Sequence, residues 1–385
     1  MGLITNKTMK SLLFFLLIFL SSIITGFAQS ADSLTWWDPA ANNLPVVEGQ
    51  GWPTEVKEPY NRLPARAEKS VRKSVWDLSR NATGLIIRFK TTAQTFTVKY
   101  TVKGRLNMPH FSTTGVSGLD LYSPGFDGSW SWAPGIYKFG TKPGDTITYV
   151  FTVSKADPAY KNGREYYLYL PIYNTVDWLK IGVPKAEQFE PLSPGKEKPI
   201  AIYGTSITQG ACASRPGMAW PAIVGRRLNR PMINLGFSGN GTLDKEMIEL
   251  FGELDPKIYV LDCLGNMMDR KNYPKEEVKR RYIWAVKYLQ AKRPGIPIVL
   301  PEFGAFNNNR LDKDRGEKIA EQNMVLKDVF TTLQKEGVKK IYLLTAEEMN
   351  MGMEDTADYG HPSDLGLVHY ADAFEKVFRK VLKQN

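Results

Sequence analysis

Histidine and cysteine are scarce: the 385-residue chain has three of the first and two of the second. Two cysteines, Cys212 and Cys263, make neither a disulfide framework nor a cysteine zinc site. An oxidising compartment would permit one bridge between them. No phosphate-binding P-loop is present, and no G-x-G-x-x-G opens a helix, so nothing points to a nucleotide or dinucleotide. After residue 28 no apolar run reaches membrane-spanning length. The chain also lacks a block of one charge. Its 50 Lys/Arg and 40 Asp/Glu interleave, so the net charge of +10 describes a basic protein without marking a nucleic-acid partner.

What is present begins with a leader. Lys7 and Lys10 precede "SLLFFLLIFLSSII", and Gly26 and Ala28 fit the small-residue rule for cleavage before Gln29. Residues 1–28 therefore read as a secretory signal peptide, and the mature chain as secreted or periplasmic, with no stable membrane partner. A membrane anchor is the other reading, for which the run is short. Removing the leader lowers the net charge from +10 to +8. With 43% hydrophobic and 23% charged residues, the remainder has the composition of an ordinary globular protein.

The remainder has two grammars. In residues 29–190 the segments 84–92, 94–104, 145–154, 164–173 and 176–184 alternate apolar and polar residues, with β-branched and aromatic enrichment. Turn residues cluster between them. An all-β sandwich of jelly-roll type is expected there. Residues 191–198 read as a linker. In 199–385 the period changes. Continuously apolar strands at 200–204, 232–236, 258–265, 296–302 and 340–346 alternate with helical segments near 217–229, 243–253, 274–292, 311–336 and 363–383. That alternation predicts a five-stranded parallel α/β sandwich, flavodoxin-like, covered on both faces. Ligands of such sheets bind beyond the carboxyl ends of the strands.

Candidate residues follow that edge. Ser206, in "GTSITQG", comes just after the first strand. The stretch is not the G-x-S-x-G nucleophile elbow. Read alone, Ser206 is a nucleophile or a turn serine. A nucleophilic serine needs a base. Of the histidines, His110 falls in the β region and reads as a surface or packing residue, and His369 as a structural residue of the last helix. His361, in "DYGHPSDLG", lies in the loop after the fifth strand. Asp358 is close enough to hold its ring. Gly239, in "GFSGNG", and Asn266, in "CLGNM", follow the second and third strands and can supply oxyanion donors. Each alone is also an ordinary turn residue. "HPSD" has no partner histidine at ligand spacing, so no metal and no cofactor is expected.

Ser206, Gly239, Asn266 and His361, in this order, with Asp358-x-x-His361, resemble the markers of the SGNH hydrolases, also called GDSL-type esterases. "SGLDLY" (117–122) is similar to the Gly-x-Asp-Leu-Tyr signature of the β domain that precedes one esterase subgroup. The first block reads Gly-Thr-Ser, as is common in that subgroup. The third has Leu264 and Met267 where Gly and Asp are usual. The resemblance implies a serine esterase in which Ser206 attacks, His361 and Asp358 move the proton, and Ser206, Gly239 and Asn266 hold the oxyanion. It further implies a carbohydrate O-acetylesterase acting on an acetylated glycan. A general short-chain esterase or lipase-like acylhydrolase, and a glycan-binding protein with a degenerate hydrolase module, are the alternatives. Candidate substrate contacts are Arg215 after the nucleophile loop, Glu302 ending the fourth strand, and Asp120, Tyr122, Trp130 and Trp132 of the β region. A 2-1-3-4-5 strand order makes strands one and three neighbours, which would allow a Cys212–Cys263 bridge near the site.

Overall fold

A computed structural model describes residues 33–42, 45–154, 160–304 and 311–384. The expected signal peptide lies outside the described residues. The N-terminal part builds two antiparallel sheets. One joins Leu34–Trp37, Val176–Pro184, Thr95–Val102, Ile147–Thr152 and Gly135–Lys138 in that spatial order; the other contains Phe189–Pro191, Ile86–Thr91, Arg164–Tyr169, Asp120–Pro124 and Trp130–Ala133. Side chains alternate across a strand. Ile87 and Phe89 of one sheet and Phe96, Val98 and Tyr100 of the other therefore enter one shared core. "SPGFDGSWSWAPG" is a hairpin, in which Asp120–Pro124 pairs antiparallel with Trp130–Ala133.

The C-terminal part is a parallel sheet with strands Ile200–Gly204, Met232–Gly236, Ile258–Asp262, Ile298–Pro301 and Ile341–Leu344. Their spatial order is second, first, third, fourth, fifth. The first three strands are buried at every residue. Their two faces feed two cores. Ala201, Tyr203, Tyr259 and Leu261 pack with residues of the helices Lys245–Phe251, Lys275–Lys292 and Lys313–Lys335. Ile200, Ile202, Ile258 and Val260 pack under Trp220–Leu228 and Asp364–Gln384. On that second face Trp220 and Phe374 stack at 3.9 Å and 11°. Truncating either ring to alanine should cost about 3–5 kcal/mol.

Polar bonds join the two parts at the functional edge. Arg62 is buried and donates to the carbonyls of Leu78, Asn81, Asn234 and Gly236. Its guanidinium also lies 4.8 Å from the Phe237 ring. The end of the second parallel strand is thereby pinned from the β region. Ser112 and Thr114 donate to the Ser214 carbonyl at 2.9 and 2.6 Å, and Ser214 N–H donates to Asp364. The expected linker is likewise fastened, with Gly195 N–H donating to Glu48 at 2.7 Å.

Candidate active site

Ser206 opens a single helical turn, Ser206–Gln209, immediately after the first parallel strand. Thr205 caps that turn, its hydroxyl accepting from Ile207 N–H. Gly204 is required by crowding: a Cβ there would come within 2.1 Å of Thr208 Oγ1. Gln209 then ties the turn to its surroundings. Its Oε1 accepts from Ser238 N–H at 2.9 Å, and its carbonyl accepts from Thr83 of the β region at 2.5 Å. The serine is held from three sides before any chemistry begins.

Ser206 Oγ lies 2.8 Å from His361 Nε2, and His361 Nδ1 lies 2.8 Å from Asp358 Oδ2. The other carboxylate oxygen, Oδ1, accepts from the N–H groups of His361 and Gly360 at 2.7 and 2.9 Å. Burial would raise the Asp358 pKa. The bonds from the His361 ring and from those backbone groups outweigh burial and hold the carboxyl below its ordinary range. An ionised Asp358 accepts the Nδ1 proton and leaves Nε2 as the acceptor that faces Ser206.

Three donors border the same space. Ser206 N–H belongs to the first helical turn, whose amides have no intrahelical acceptor. Gly239, at φ +68°, faces open space on the side where a Cβ would project. At Asn266, one end of the side-chain amide lies 2.9 Å from both Asn240 N–H and Gly241 N–H. Only a carbonyl oxygen accepts from two N–H groups, so that end is Oδ1 and the NH2 is the other. Thr205, Ser206, Ile207, Ser238, Gly239, Gly265, Asn266, Phe303, Arg315, Gly360 and His361 line a cavity of about 330 Å³.

The expected substrate contacts are elsewhere: none of the six lines this cavity. Asp120 is buried and accepts from Arg215 Nη1 (2.7 Å), Gly217 N–H (2.9 Å) and Trp132 Nε1 (2.6 Å). Arg215 also bonds the Tyr122 hydroxyl and lies over the Trp132 ring at 4.4 Å. These four form a latch between the β hairpin and the segment that follows the serine. Trp130 Nε1 donates to the Arg226 carbonyl. Glu302 is buried, accepting from Ala346 N–H at 2.8 Å with Lys327 Nζ at 3.3 Å. Asp120, Tyr122, Trp130 and Trp132 are engaged by the hairpin's contacts with the segment after the serine, and Glu302 by the segment after the fifth strand, so these side chains are turned away from the cavity.

Three further corrections concern the histidines and cysteines. Cys212 and Cys263 are both free. Cys212 Sγ points to the His110 carbonyl at 3.4 Å and Cys263 Sγ to the Tyr203 carbonyl at 3.5 Å, so their side chains face different elements. His110 is on the surface, as expected, but beside the site: its ring centroid lies 5.9 Å from that of His361. The fold also supplies the partner histidine that local spacing lacked: ligand atoms of His110, Cys212, Asp358 and His361 all lie within 4.8 Å of one another. His369, by contrast, stays on its helix with Nδ1 at 3.1 Å from Asp355.

Sequence reasoning missed Phe303, Arg315 and Asp262. Arg315 donates to the Tyr359 carbonyl at 2.9 Å, bracing the loop that carries Asp358 and His361. Asp262 ends the third strand, buried, and accepts from Thr208 at 2.5 Å. Its place at a strand's carboxyl end was the available signal.

A hydroxyl, an imidazole and a carboxylate in line at the carboxyl edge of a flavodoxin-like sheet define a serine ester hydrolase. Residues 197–379 match the GDSL-like lipase/acylhydrolase family, and residues 34–189 match the GxDLY domain, the N-terminus of SGNH-hydrolase-type esterases. The chain belongs to this SGNH/GDSL group, in the branch with the GxDLY domain. A crystal structure described as a GDSL-like lipase from Bacteroides ovatus ATCC 8483 is 29% identical, with TM-score 0.80 over 91% of this chain and 98% of that one. A salicylyl-acyltransferase from a tetracycline biosynthetic pathway shares the fold at 17% identity, with TM-score 0.70 over 92% and 99% of the two chains. An acetyl xylan esterase from Butyrivibrio proteoclasticus does so at 11% identity, with TM-score 0.54 over 91% and 100%. Among curated proteins none matches in sequence.

Proposed function

We propose that this protein is a carbohydrate O-acetylesterase, exported from the cell, with Ser206 as nucleophile. The observation that carries the catalytic part is the unbroken line from Ser206 Oγ through His361 to Asp358, with both links at 2.8 Å. His361 Nε2 takes the serine proton as Oγ attacks the ester carbonyl. The negative charge forming on the carbonyl oxygen is met by Ser206 N–H, Gly239 N–H and the Asn266 NH2. His361 returns the proton to the departing sugar hydroxyl. It then deprotonates a water that cleaves the acyl-enzyme. Asp358 stays ionised throughout and stabilises the imidazolium.

The acetyl part is supported by the cavity. Backbone and small side chains crowd the serine, with Phe303 closing one wall, which favours a short acyl group next to Ser206. The carbohydrate part is supported by the fold shared with an acetyl xylan esterase and with a family two carbohydrate esterase from Cellvibrio japonicus. A sugar ester outside the cell also agrees with the leader-like N-terminus.

The test is acetate release from a panel of acetylated oligosaccharides, with 4-nitrophenyl acetate as the small-ester control. Wild-type protein should release acetate from at least one glycan, and Ser206→Ala should not. Activity on 4-nitrophenyl acetate alone would make it a general short-chain esterase. Glycan binding with equal background rates in both proteins would leave a degenerate hydrolase module that only binds sugar.

A further inference from the structure

We propose that His110, Cys212, Asp358 and His361 form a site for a zinc-like divalent cation, and that its occupancy switches the hydrolase off. The four side chains come from three separate segments. His110 belongs to a loop of the β region, Cys212 follows the nucleophile turn, and Asp358 and His361 share the loop after the fifth parallel strand. One ligand atom of each lies within 4.8 Å of all the others. Tetrahedral zinc, with bonds of 2.0–2.3 Å, holds its ligand atoms roughly 3.5 Å apart, so closure asks for movements on the order of 1 Å. His110 and Asp358 are exposed and can supply them.

Donor chemistry selects the ion. Two imidazoles, one thiol and one carboxylate make a borderline-soft set, which suits zinc and disfavours magnesium and calcium, whose ligands are oxygens. The assembly is also held in place. Ser112 and Thr114, just beyond His110, fasten that loop to Ser214, just beyond Cys212. The Cys212 thiol points at the His110 carbonyl. Neither His110 nor Cys212 belongs to the Ser206–His361–Asp358 line.

Binding forms one bond each to sulfur and oxygen and two to nitrogen, and the Cys212 thiol proton goes to solvent. The consequence for His361 follows from its tautomer. Nδ1 is the ring nitrogen beside Asp358. A cation there binds Nδ1 in place of its proton, which goes to solvent while Nε2 takes one up from solvent, so the neutral ring carries its proton on Nε2. That nitrogen then donates where it must accept, and Ser206 loses its base. Asp358 exchanges its hydrogen bond for a metal bond in the same step.

The full chain is titrated with Co2+ as a spectroscopic probe and with Zn2+ as inhibitor of 4-nitrophenyl acetate hydrolysis, with Mg2+ as control. The expected result is one cobalt ion per chain with a thiolate-to-cobalt charge-transfer band, displaced by zinc, and inhibition by zinc but not magnesium. His110→Ala and Cys212→Ser, each retaining wild-type activity without metal, should need at least tenfold more zinc for half inhibition. No thiolate band in the wild type, or equal zinc sensitivity in both variants, overturns the site. A variant that lost basal activity through misfolding is replaced by His110→Gln, read in the same titration. The inhibitory consequence rests on the proposed hydrolase function. The cobalt spectrum is read without turnover, so an inactive enzyme would refute that function and leave the binding result standing.

Discussion

Asp120 Oδ2 accepts from Arg215 Nη1 at 2.7 Å, joining the β hairpin to the segment that follows the nucleophile turn. Burial raises the Asp120 pKa, opposed by the Arg215 charge and by bonds from Arg215, Trp132 and Gly217. The Gly-x-Asp-Leu-Tyr signature therefore marks an interdomain latch. Removing Asp120 would strand Arg215, which is only partly exposed, and the Gly217 N–H, which is buried. Asp120→Ala should destabilise the protein by about 3 kcal/mol, the lower end for a broken buried pair. Denaturant titration would measure it. A loss below 1 kcal/mol would make the latch incidental.

Asp358 fixes which nitrogen of His361 faces the serine. Asp358→Asn keeps the shape and loses the charge that selects this tautomer. The expected result is a fall in kcat on the order of 10⁴-fold with KM little changed. Steady-state kinetics on 4-nitrophenyl acetate decides it. A comparable rise in KM would point to substrate binding instead.

The oxyanion donors should separate stability from rate. Asn266→Ala should lower kcat by roughly 10²-fold, the cost of one such donor. At Gly239 an added Cβ meets nothing within 4 Å, but φ is +68°. Gly239→Ala should therefore cost only about 1 kcal/mol of stability, from the left-handed backbone. Its effect on kcat should exceed that cost, because the methyl group enters the cavity. Thermal unfolding beside kinetics tests both.

Asp262 makes a pH prediction. Burial pushes its carboxyl up to about 7, partly offset by the Thr208 hydroxyl. An acid whose pKa rises on folding binds more protons folded than unfolded between its ordinary value and about 7. Its contribution to stability is complete below the ordinary carboxylate range and is lost as pH rises through about 7. The full span is about 4 kcal/mol. Asp262→Asn keeps an acceptor for Thr208 and removes the ionisation. The variant should be more stable than wild type at pH 8, with a smaller change in Tm between pH 5 and pH 8. Parallel Tm-against-pH curves would assign the effect to another group.

Much of the fold was legible because its signals are local. The continuous apolar runs at Ile200–Gly204 and Met232–Gly236 could only be strands buried on both faces, and they are. Thr95–Val102 announced itself by period-two alternation, which one buried face imposes. Short pieces such as Asp120–Pro124 and Trp130–Ala133 gave no such pattern. Their environment is set by a hairpin and a domain interface, not by their own periodicity.

The site divides the same way. Strand periodicity by itself put Ser206, Gly239, Asn266, Asp358 and His361 at one edge, because residues just after parallel strands share the carboxyl end of the sheet. Only the tertiary structure decided that Arg215 is the residue Asp120 and Tyr122 bond across the interface, and that Cys212 and Cys263 point apart. It also decided that His110 lies beside His361. Such distances depend on how one sheet packs on another, and no local pattern encodes the separation of side chains that meet only across that packing.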